Sequence, residues 1–353
     1  MTGTETSSQP AQTVEIEALR ACLERVLERL GVAEAHAAQI AEVLLDAELR
    51  GYPDHGVWFL GEVVGWYRAG ALNPRPQIRV VRETAQSLLL DGDAGCGAVA
   101  AQQAIDWCID HARQHGLATA GIQRSGHFIA AAPYVTSAAR AGFVALAAAN
   151  VTPLMPPPGG RQRTLGTNPF AFSAPTGGEF PLVLDMATSA IAGFKVRLAA
   201  RAGRQVAPGL IANAQGEPTT DPQDFLAGGL LLPFGGHKGF GLALLVEVLA
   251  GVLTGASFGA AASVTHGREG HFFLVLDPEL FLPREQFTAR LDELIGQVKT
   301  GARARGTDEL FVPGERGQRR AAELRRAGEV PLDAQGWRTL GEVCSALDVP
   351  LPA

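Results

Sequence analysis

Cysteine is scarce in this sequence: there are four cysteines in 353 residues, and no two of them form a Cys-x-x-Cys pair. The four (Cys22, Cys96, Cys108 and Cys344) also lack the spacing of metal ligands, so we expect no metal site from them. Scattered cysteines of this kind favour reduced thiols in a cytoplasmic protein over a disulfide framework in a secreted one.

Long apolar runs and an excess of positive charge are also absent. The Leu-rich stretch at residues 239–253 is shorter than a membrane span and carries Glu247. A formal net charge of −6 leaves no basic footprint for nucleic acid. Residues 1–13 are polar, without the basic start or apolar core of a signal peptide, and we interpret them as a flexible N-terminus. We therefore expect neither a membrane nor a nucleic-acid partner.

What the sequence does contain is enough apolar residues, 46%, to bury a large core in more than one lobe. Apolar residues at helical spacing predict a pair of helices within residues 14–50. Predicted strands and helices then alternate, which is typical of an α/β fold. We predict a helical lobe at residues 14–77, a central α/β region at 78–276 and a C-terminal helical segment at 277–353 that returns to the first lobe.

One glycine pattern resembles a dinucleotide-binding fingerprint. Gly95, Gly97 and Ala100 have the Gly-x-Gly-x-x-Ala spacing, follow a predicted strand and open a predicted helix. A Rossmann site also needs an acidic residue about 20 positions further on, but the sequence has Arg124 near that place. Arg124 could serve a 2′-phosphate, so a Rossmann site and a plain glycine-rich turn both remain open.

Three histidines lie in motif-like surroundings: His55, His127 and His237. Imidazole titrates near neutral pH, so each of them could carry a proton to or from a substrate. His271 has no such motif around it, and we interpret it as a packing residue.

Two further patterns carry less weight. His111 and His115 share a predicted helix face but have no third ligand nearby in the sequence, so we expect no metal there. Residues 255–259 read Gly-x-Ser-x-Gly, yet they follow a predicted helix, whereas a nucleophile elbow needs a strand before it. We therefore expect a loop at residues 255–259.

Several longer motifs, spread over nearly the whole chain, carry a family resemblance. They are Asp54-His55-Gly56-Val57, Ser125-Gly126-His127-Phe128, Gly166-Thr167-Asn168-Pro169, Asp185-Met186-Ala187-Thr188-Ser189, Thr219-Thr220-Asp221-Pro222, Gly235-Gly236-His237-Lys238-Gly239 and Pro313-Gly314-Glu315. On these motifs the chain resembles the type-2 malate/L-lactate dehydrogenases, a family that includes ureidoglycolate dehydrogenase, 2,3-diketogulonate reductase, sulfolactate dehydrogenase and Δ1-piperideine-2-carboxylate reductase.

The resemblance implies a non-Rossmann α/β fold with a mixed, largely antiparallel sheet in the cofactor domain. The helical N- and C-terminal segments would form a second lobe, and the molecule would be a homodimer. It also implies that NADH or NADPH binds through segments other than the glycine fingerprint.

The resemblance further implies a set of site residues. The cofactor-binding residues would be Asp185, Met186, Ala187, Thr188, Ser189, His237, Lys238, Pro313, Gly314 and Glu315. The catalytic residues would be His55, as proton donor or acceptor, and His127. The substrate pocket would contain Asp54, Phe59, Gly166, Thr167 and Asn168.

The sequence departs from the family pattern beside His55. The family usually has Ser before this histidine and Arg four residues after it, where the chain has Asp54 and Phe59. Phenylalanine cannot grip a substrate carboxylate as a guanidinium does. Either another arginine takes over, with Arg50, Arg124 and Arg163 as candidates, or the substrate differs.

Taken together, the sequence and the resemblance predict hydride transfer between NADH or NADPH and a small carboxylate, a 2-oxo acid or a cyclic 2-imino acid. Two alternatives stay open at this point. The missing arginine would also suit a family member that has lost activity and serves as a ligand-binding protein. The glycine pattern would suit a Rossmann dehydrogenase that uses Gly95, Gly97 and Ala100.

Overall fold

The structure is a computed structural model that describes residues 12–263 and 267–352. Of the predicted flexible N-terminus, residues 1–11 therefore lie outside the described residues. Gln12 and Thr13 belong to a short strand, which corrects the prediction for these two positions. Their backbone pairs with residues 331–332 near the other end of the chain, and a sequence window cannot show such a distant partner.

Helices and strands alternate through most of the described chain. The helices are α1 (Ile16–Arg29), α2 (Glu34–Leu49), α3 (Val57–Arg68), α4 (Gly97–His115), α5 (Ala132–Arg140), α6 (Gly193–Arg201), α7 (Pro222–Leu226), α8 (His237–Val246), α9 (Arg284–Thr300), α10 (Glu315–Ala327) and α11 (Ala334–Leu347). The strands are β1 (Gln12–Glu15), β2 (Arg79–Glu83), β3 (Ser87–Asp91), β4 (Leu117–Ser125), β5 (Val144–Ala149), β6 (Phe170–Ala174), β7 (Leu182–Met186), β8 (Ile211–Ala212), β9 (Pro218–Thr219), β10 (Leu230–Leu231), β11 (Glu269–Leu276) and β12 (Glu329–Leu332). A π-helical turn (Glu247–Val252) continues α8.

The chain divides into two compact units. The first contains residues 1–70 and 316–353, and the second contains residues 71–315. Helix α9 thus belongs to the second unit, although the sequence grouped residues 277–353 together. Contacts within that unit account for this, since the Asp292 carboxylate accepts the Gly177 N–H at 3.0 Å and Lys299 pairs with Glu315.

The first unit is built on helices whose apolar faces are buried. Every residue of the apolar stripe that predicted α1 is buried, from Ile16 to Leu27. Helix α1 packs on α2 and α11, and α11 also packs on α3. Strands β1 and β12 pair antiparallel with Val14 opposite Val330, so the two ends of the chain meet in this unit.

The second unit is built on a seven-stranded sheet with the order β2-β3-β4-β11-β5-β6-β7. Only the β3–β4 pair is parallel; the other neighbours are antiparallel, which confirms the predicted mixed, largely antiparallel sheet. Helices α4 and α5 cover one face, where Tyr134 meets Phe273 edge to face at 6.0 Å. The π-helical turn covers the other face, with Ala250 packed near Phe272. Strands β10, β8 and β9 form a small separate sheet.

Among the helices of residues 12–263 and 267–352, none is both long and apolar enough to cross a bilayer.

Candidate active site

The His55 turn lies between α2 and α3 in the first unit. Its backbone is closed by two hydrogen bonds, His55 N–H to the Tyr52 carbonyl at 2.9 Å and Gly56 N–H to the Pro53 carbonyl at 3.1 Å. The His55 side chain is 37% exposed, and its Nδ1 lies 3.6 Å from the buried Asp54 carboxylate. Asp54 therefore orients the imidazole and leaves the ring partly open to solvent.

A buried glutamate lies under this turn. Glu48 Oε2 accepts the Val57 N–H at 2.9 Å and so caps the start of α3. A Cβ on Gly56 would lie 2.4 Å from the same oxygen, so the residue after His55 must be glycine. Burial raises the pKa of the Glu48 carboxyl to about 7, although the Val57 N–H acts in the opposite direction. Sequence analysis missed Glu48, because Glu42 and Asp46 in the same helix look alike in the sequence and only burial distinguishes it.

His127 lies in the loop between β4 and α5 in the second unit. Its Nδ1 accepts the Ile129 N–H at 2.9 Å. A nitrogen that accepts a hydrogen bond carries no proton, so the neutral ring has its proton on Nε2. The His127 carbonyl accepts the Gly97 N–H at 3.1 Å, which ties the loop to the start of α4. The geometry therefore leaves His127 Nε2 as a hydrogen-bond donor.

The first predicted cofactor segment, residues 185–189, is joined to this loop and to the 166–168 turn. The Asp185 carboxylate accepts the N–H groups of Ala131 and Ala132, at 3.2 and 2.8 Å, and caps α5 directly after the His127 loop. The Thr188 N–H and hydroxyl both donate to the Thr167 carbonyl, each at 2.8 Å. These hydrogen bonds of Asp185 and Thr188 hold residues 185–189 against the start of α5 and the 166–168 turn.

The glycine-rich turn before α8 joins the same cluster. The Phe234 N–H donates to the Thr188 carbonyl at 3.1 Å, and Ser189 forms a β-bridge with Pro233. A Cβ on Gly239 would lie 2.5 Å from the Phe234 carbonyl, so this glycine serves close packing inside the protein. The segments 166–168, 185–189 and 233–239 are thus brought together.

The start of α8 fits the phosphates of a nicotinamide cofactor. Gly235 and Gly236 have φ angles of +56° and +64°, and a Cβ on Gly236 would meet nothing within 4 Å, so open space borders this turn. His237 and Lys238 are exposed in the first helical turn, and no side chain caps the helix. The N–H groups of Lys238, Gly239 and Phe240 donate to backbone carbonyls of the turn, so the exposed Lys238 ammonium is the group that suits an anionic phosphate. The same glycines line an open cleft of about 440 Å³.

Pro313, Gly314 and Glu315 lie beside β7. The Val183 N–H donates to the Pro313 carbonyl at 3.4 Å. Gly314 has a φ of +79°, and a Cβ there would lie 2.4 Å from the Val183 carbonyl. The Glu315 carboxylate pairs with Lys299 and accepts the Val312 N–H at 3.2 Å. This segment therefore reaches the strand that ends in Asp185 and Met186.

Asn168 is fully buried and uses both ends of its amide inside the protein. Its Oδ1 accepts the Val151 N–H at 3.2 Å, and its Nδ2 donates to the Ala243 carbonyl at 2.9 Å. Nδ2 also donates to Glu247, the buried acid at the start of the π-helical turn, at 2.5 Å. Asn168 therefore ties the 166–168 turn to α8. Its side chain has no atom left for a substrate.

Glu247 is a second residue that sequence analysis did not assign to the site. Besides Asn168, its carboxylate accepts Asn150 Nδ2 at 3.0 Å and the Gly259 N–H at 2.8 Å. Three donors satisfy the buried charge without a cation. The signal was present in the sequence, because Glu247 is the one acid in the Leu-rich stretch.

Comparisons with known proteins show the family of this chain. The sequence profile of the malate/L-lactate dehydrogenase family matches residues 14–341. The chain belongs to this family.

The relatives match over nearly the whole chain. A malate dehydrogenase of Pyrococcus abyssi is 36% identical over 303 residues, which cover 83% of each protein. The Δ1-pyrroline-2-carboxylate/Δ1-piperideine-2-carboxylate reductase of Pseudomonas putida is 34% identical and covers 95% of this chain and 98% of the relative. The crystal structure of malate dehydrogenase from Entamoeba histolytica covers 97% of this chain and 100% of its own, with a TM-score of 0.91 and 26% identity.

Family membership makes this chain a nicotinamide-dependent dehydrogenase or reductase. The non-Rossmann fold agrees with that membership, and the glycine fingerprint serves a different purpose from cofactor binding. A Cβ on Gly97 would lie 2.2 Å from the Gly126 carbonyl, and one on Gly95 would lie 2.5 Å from Pro76. Because Gly95 and Gly97 have no side chains and Ala100 in α4 has a small one, the start of that helix can pack closely against neighbouring segments of the chain. The Rossmann alternative is therefore wrong.

The arginines that could replace the one missing near His55 all have protein partners. Arg50 pairs with Asp46 at 2.5 Å, and Arg124 pairs with Asp91 at 3.2 Å. Arg163 donates to two backbone carbonyl oxygens, at 2.9 and 3.3 Å. No group of three or more potential metal ligands occurs in the part of the chain that the structure describes.

Proposed function

We propose that this family member transfers hydride between NADH or NADPH and a 2-oxo acid or a cyclic 2-imino acid, in either direction. The names of its relatives support this substrate class: malate, sulfolactate and Δ1-pyrroline-2-carboxylate all react at a carbon next to a carboxylate. The observation that carries the proposal is the cluster of residues 166–168, 185–189 and 233–239, held together by hydrogen bonds at the exposed start of α8.

The cofactor would be held by the residues that the family motifs mark. We assign this role to Asp185, Met186, Ala187, Thr188, Ser189, His237, Lys238, Pro313, Gly314 and Glu315. Lys238 acts as a point charge toward phosphate oxygens, and the exposed start of α8 lets the phosphates approach it. When bound, the reduced nicotinamide supplies the hydride.

The protein itself moves the proton. We assign to His55 the role of general acid and base at the substrate oxygen or nitrogen, with Asp54 orienting its ring. Phe59 packs against the same ring. We assign to His127 a hydrogen-bond donor role toward the substrate through Nε2, the nitrogen that the Ile129 hydrogen bond leaves protonated. The backbone of Gly166 and Thr167 would shape the substrate pocket, with Asn168 as its support.

A substrate screen tests the proposal. Purified protein is assayed with 2-oxo acids and cyclic imino acids with each reduced cofactor, and cofactor binding is measured by fluorescence. We expect cofactor binding and turnover of at least one compound. Cofactor binding without turnover of any compound would favour the alternative of an inactive ligand-binding protein. A protein that neither binds the cofactor nor turns over any compound would contradict the proposal.

Histidine variants then assign the roles. His55→Ala should lower kcat by about 10²–10⁴-fold, because a general acid acts mainly in the transition state, while the cofactor Kd stays unchanged. His115→Ala is the matched control, since His115 is exposed on α4 and outside the site. If His127→Ala gave the larger loss and His55→Ala a small one, the two assignments would have to be exchanged.

We also propose that the protein is a homodimer. Leu244, Leu245, Val248 and Val252 are each about half exposed and follow one another along α8 and its π-helical turn. Aligned apolar side chains of this kind are typical of a protein–protein contact, and we assign a second copy of the chain as the partner.

We propose that the protein works in a reducing compartment such as the cytoplasm. All four cysteines are free and buried. Cys22 Sγ and Cys344 Sγ lie 3.4 Å apart without a disulfide between them. Scattered cysteines without a Cys-x-x-Cys pair are typical of a protein in a reducing compartment.

A further inference from the structure

His271 is a buried histidine that the mechanism above does not use. It lies on β11 between β4 and β5, paired with Ile122 and Ala149, and its exposed fraction is 0%. The sequence marked it as a packing residue only. Its contacts are concentrated on one loop, the loop that carries His127.

His271 holds the residues on both sides of His127. Its Nε2 lies 3.1 Å from the Gly126 carbonyl and 3.1 Å from Ser125 Oγ. Its ring stacks on Phe128 with the centroids 4.8 Å apart and the planes inclined by 3°. One side chain thus fixes the residue before His127 by a hydrogen bond and the residue after it by ring stacking.

The tautomer of His271 follows from its partner. A carbonyl oxygen can only accept, so Nε2 of His271 must carry the proton that it donates to Gly126. Burial lowers the pKa of the His271 imidazole to about 4, so the ring is neutral at physiological pH and cannot serve as the proton carrier. Its N–H is instead a permanent donor.

The presence of an imidazole at position 271 indicates that its Nε2–H group has a function. Nδ1 of His271 is buried and has no hydrogen-bond partner among residues 12–263 and 267–352, which costs stability. A phenylalanine would provide the same stacking on Phe128 without that cost. What phenylalanine cannot provide is the N–H toward Gly126, so the imidazole is explained by that hydrogen bond.

We infer that His271 is a positioning residue, which fixes the 126–128 backbone so that the His127 ring keeps its Nε2–H directed as a hydrogen-bond donor to the substrate. The inference rests on the proposed role of His127. Two further hydrogen bonds complete the positioning: the His127 carbonyl accepts from Gly97, and the His127 ring accepts from Ile129.

Two variants separate the hydrogen bond from the stacking. His271→Phe keeps a ring against Phe128 and removes the donor, whereas His271→Gln keeps an N–H donor and removes the ring. His111→Phe is the matched control, because His111 also stacks on an aromatic ring, that of Trp107 at 3.7 Å, but on the outer side of α4. The readouts are kcat, the cofactor Kd, the thermal melt and the ¹⁵N signals of the histidine rings.

We expect His271→Phe to lower kcat about tenfold or more, the size of effect that one positioning hydrogen bond can have. Its cofactor Kd should stay within about twofold, and the His127 signals should shift away from a pure Nε2–H tautomer, as loss of positioning without loss of binding implies. His271→Gln should restore most of kcat and the His127 signals. His111→Phe should match the wild type.

A folded His271→Phe protein with wild-type kcat and unchanged His127 signals would overturn the inference. So would a His271→Gln protein as impaired as His271→Phe. If His271→Phe does not fold, the ¹⁵N spectrum of the wild type tests the inference. His271 must then remain a neutral Nε2–H tautomer from pH 5.5 to 8, a range that lies above its lowered pKa. If the wild type turns over no substrate, the proposed function fails, and the ¹⁵N signals still test the positioning.

Discussion

Phe59, the residue that departs from the family pattern, is 9% exposed and packs beside the His55 turn. Its ring is stacked on His55 with the centroids 5.9 Å apart and meets Trp66 edge to face at 5.4 Å. An aromatic ring here adds apolar contact where a family member would offer a bidentate donor to a carboxylate. The substrate should therefore be bulkier, or less acidic, than pyruvate or oxaloacetate on this side.

Phe59→Arg tests this reading. We expect kcat/KM for pyruvate to rise relative to that for a larger cyclic or aromatic substrate, by about tenfold, since a charged hydrogen bond contributes about 1.5–3 kcal/mol. The melting temperature should fall, because ring contacts are lost and a guanidinium enters a nearly closed space. Phe59→Leu is the control that removes the ring without adding charge. Efficient pyruvate turnover by the wild type, with no change in the ratio, would contradict the reading.

Glu269 makes the stability of the second unit depend on pH. Burial raises the pKa of its carboxyl from 4.5 to about 8, so between these values the folded state binds a proton that the unfolded state has lost. Stability must then fall as the pH rises through that window, by about 1.4 kcal/mol for each unit of raised pKa. The neutral His271 acts oppositely, because its pKa is lowered to about 4 and it favours folding as the pH rises from 4 to 6.5.

Of Glu269 and His271, only Glu269 changes the stability of the fold above pH 6.5. We expect the melting temperature of the wild type to fall between pH 7 and 8 and that of Glu269→Gln to fall much less, because the window of the other buried glutamate, Glu48, ends near its pKa of about 7. The glutamine keeps an oxygen for the Thr152 N–H that Glu269 accepts. Equal pH slopes for the two proteins, measured by calorimetry, would show that the Glu269 carboxyl ionises in the folded protein at an ordinary pKa.

Helix α8 combines a part that the sequence predicted with a part that it did not. The helix that the sequence predicts before residues 255–259 is present, but it begins at His237, after Gly235 and Gly236, which adopt left-handed backbone angles. The π-helical turn at Glu247–Val252 was not predicted, because the spacing of apolar residues does not reveal one inserted residue. That turn places Glu247 where three hydrogen-bond donors meet its carboxylate.

Lys238→Ala tests the function of the α8 start. The ammonium group has no carboxylate partner in the described part of the chain and no packing role, so the fold should survive its loss. We expect the Kd of both NADH and NADPH to rise about tenfold or more, the effect of losing one charged contact to phosphate. Arg290→Ala, which removes an exposed cation on α9, should leave both values unchanged. Unaltered Kd values for Lys238→Ala would remove this residue from the site.

The elements with a clear internal pattern were the ones that sequence could predict. The apolar stripe of α1 and the helix from residue 98 to 115 needed only local spacing, and the motifs marked the segments that cluster around Thr188. Strand β6 lies between the family turn at residues 166–169 and β7, and it was missed because its five residues have no polar–apolar alternation. Glu48 and His271 were missed as site residues for another reason, since only burial shows what they contact.

The assembly of the molecule can be tested through the apolar face of α8. Leu244→Asp combined with Val248→Asp should convert a dimer into a monomer, because two charges would be buried in the proposed contact. Light scattering should then fall from twice 37.0 kDa to 37.0 kDa. Leu226→Asp is the control, an exposed leucine on α7 away from that face, and should stay dimeric. A wild-type protein that is monomeric at micromolar concentration would refute the proposed contact.

The transfer of hydride to a carbon next to a carboxylate can be measured directly by isotope labelling. The protein is incubated with the reduced cofactor carrying deuterium on one face of the nicotinamide C4, and then with the other face labelled, together with the substrate found in the screen. Mass spectrometry of the product should show one deuterium on the carbon that bears the new hydroxyl or amino group, and from one face only. A product without deuterium from either face, or with the label on another carbon, would contradict the proposed reaction.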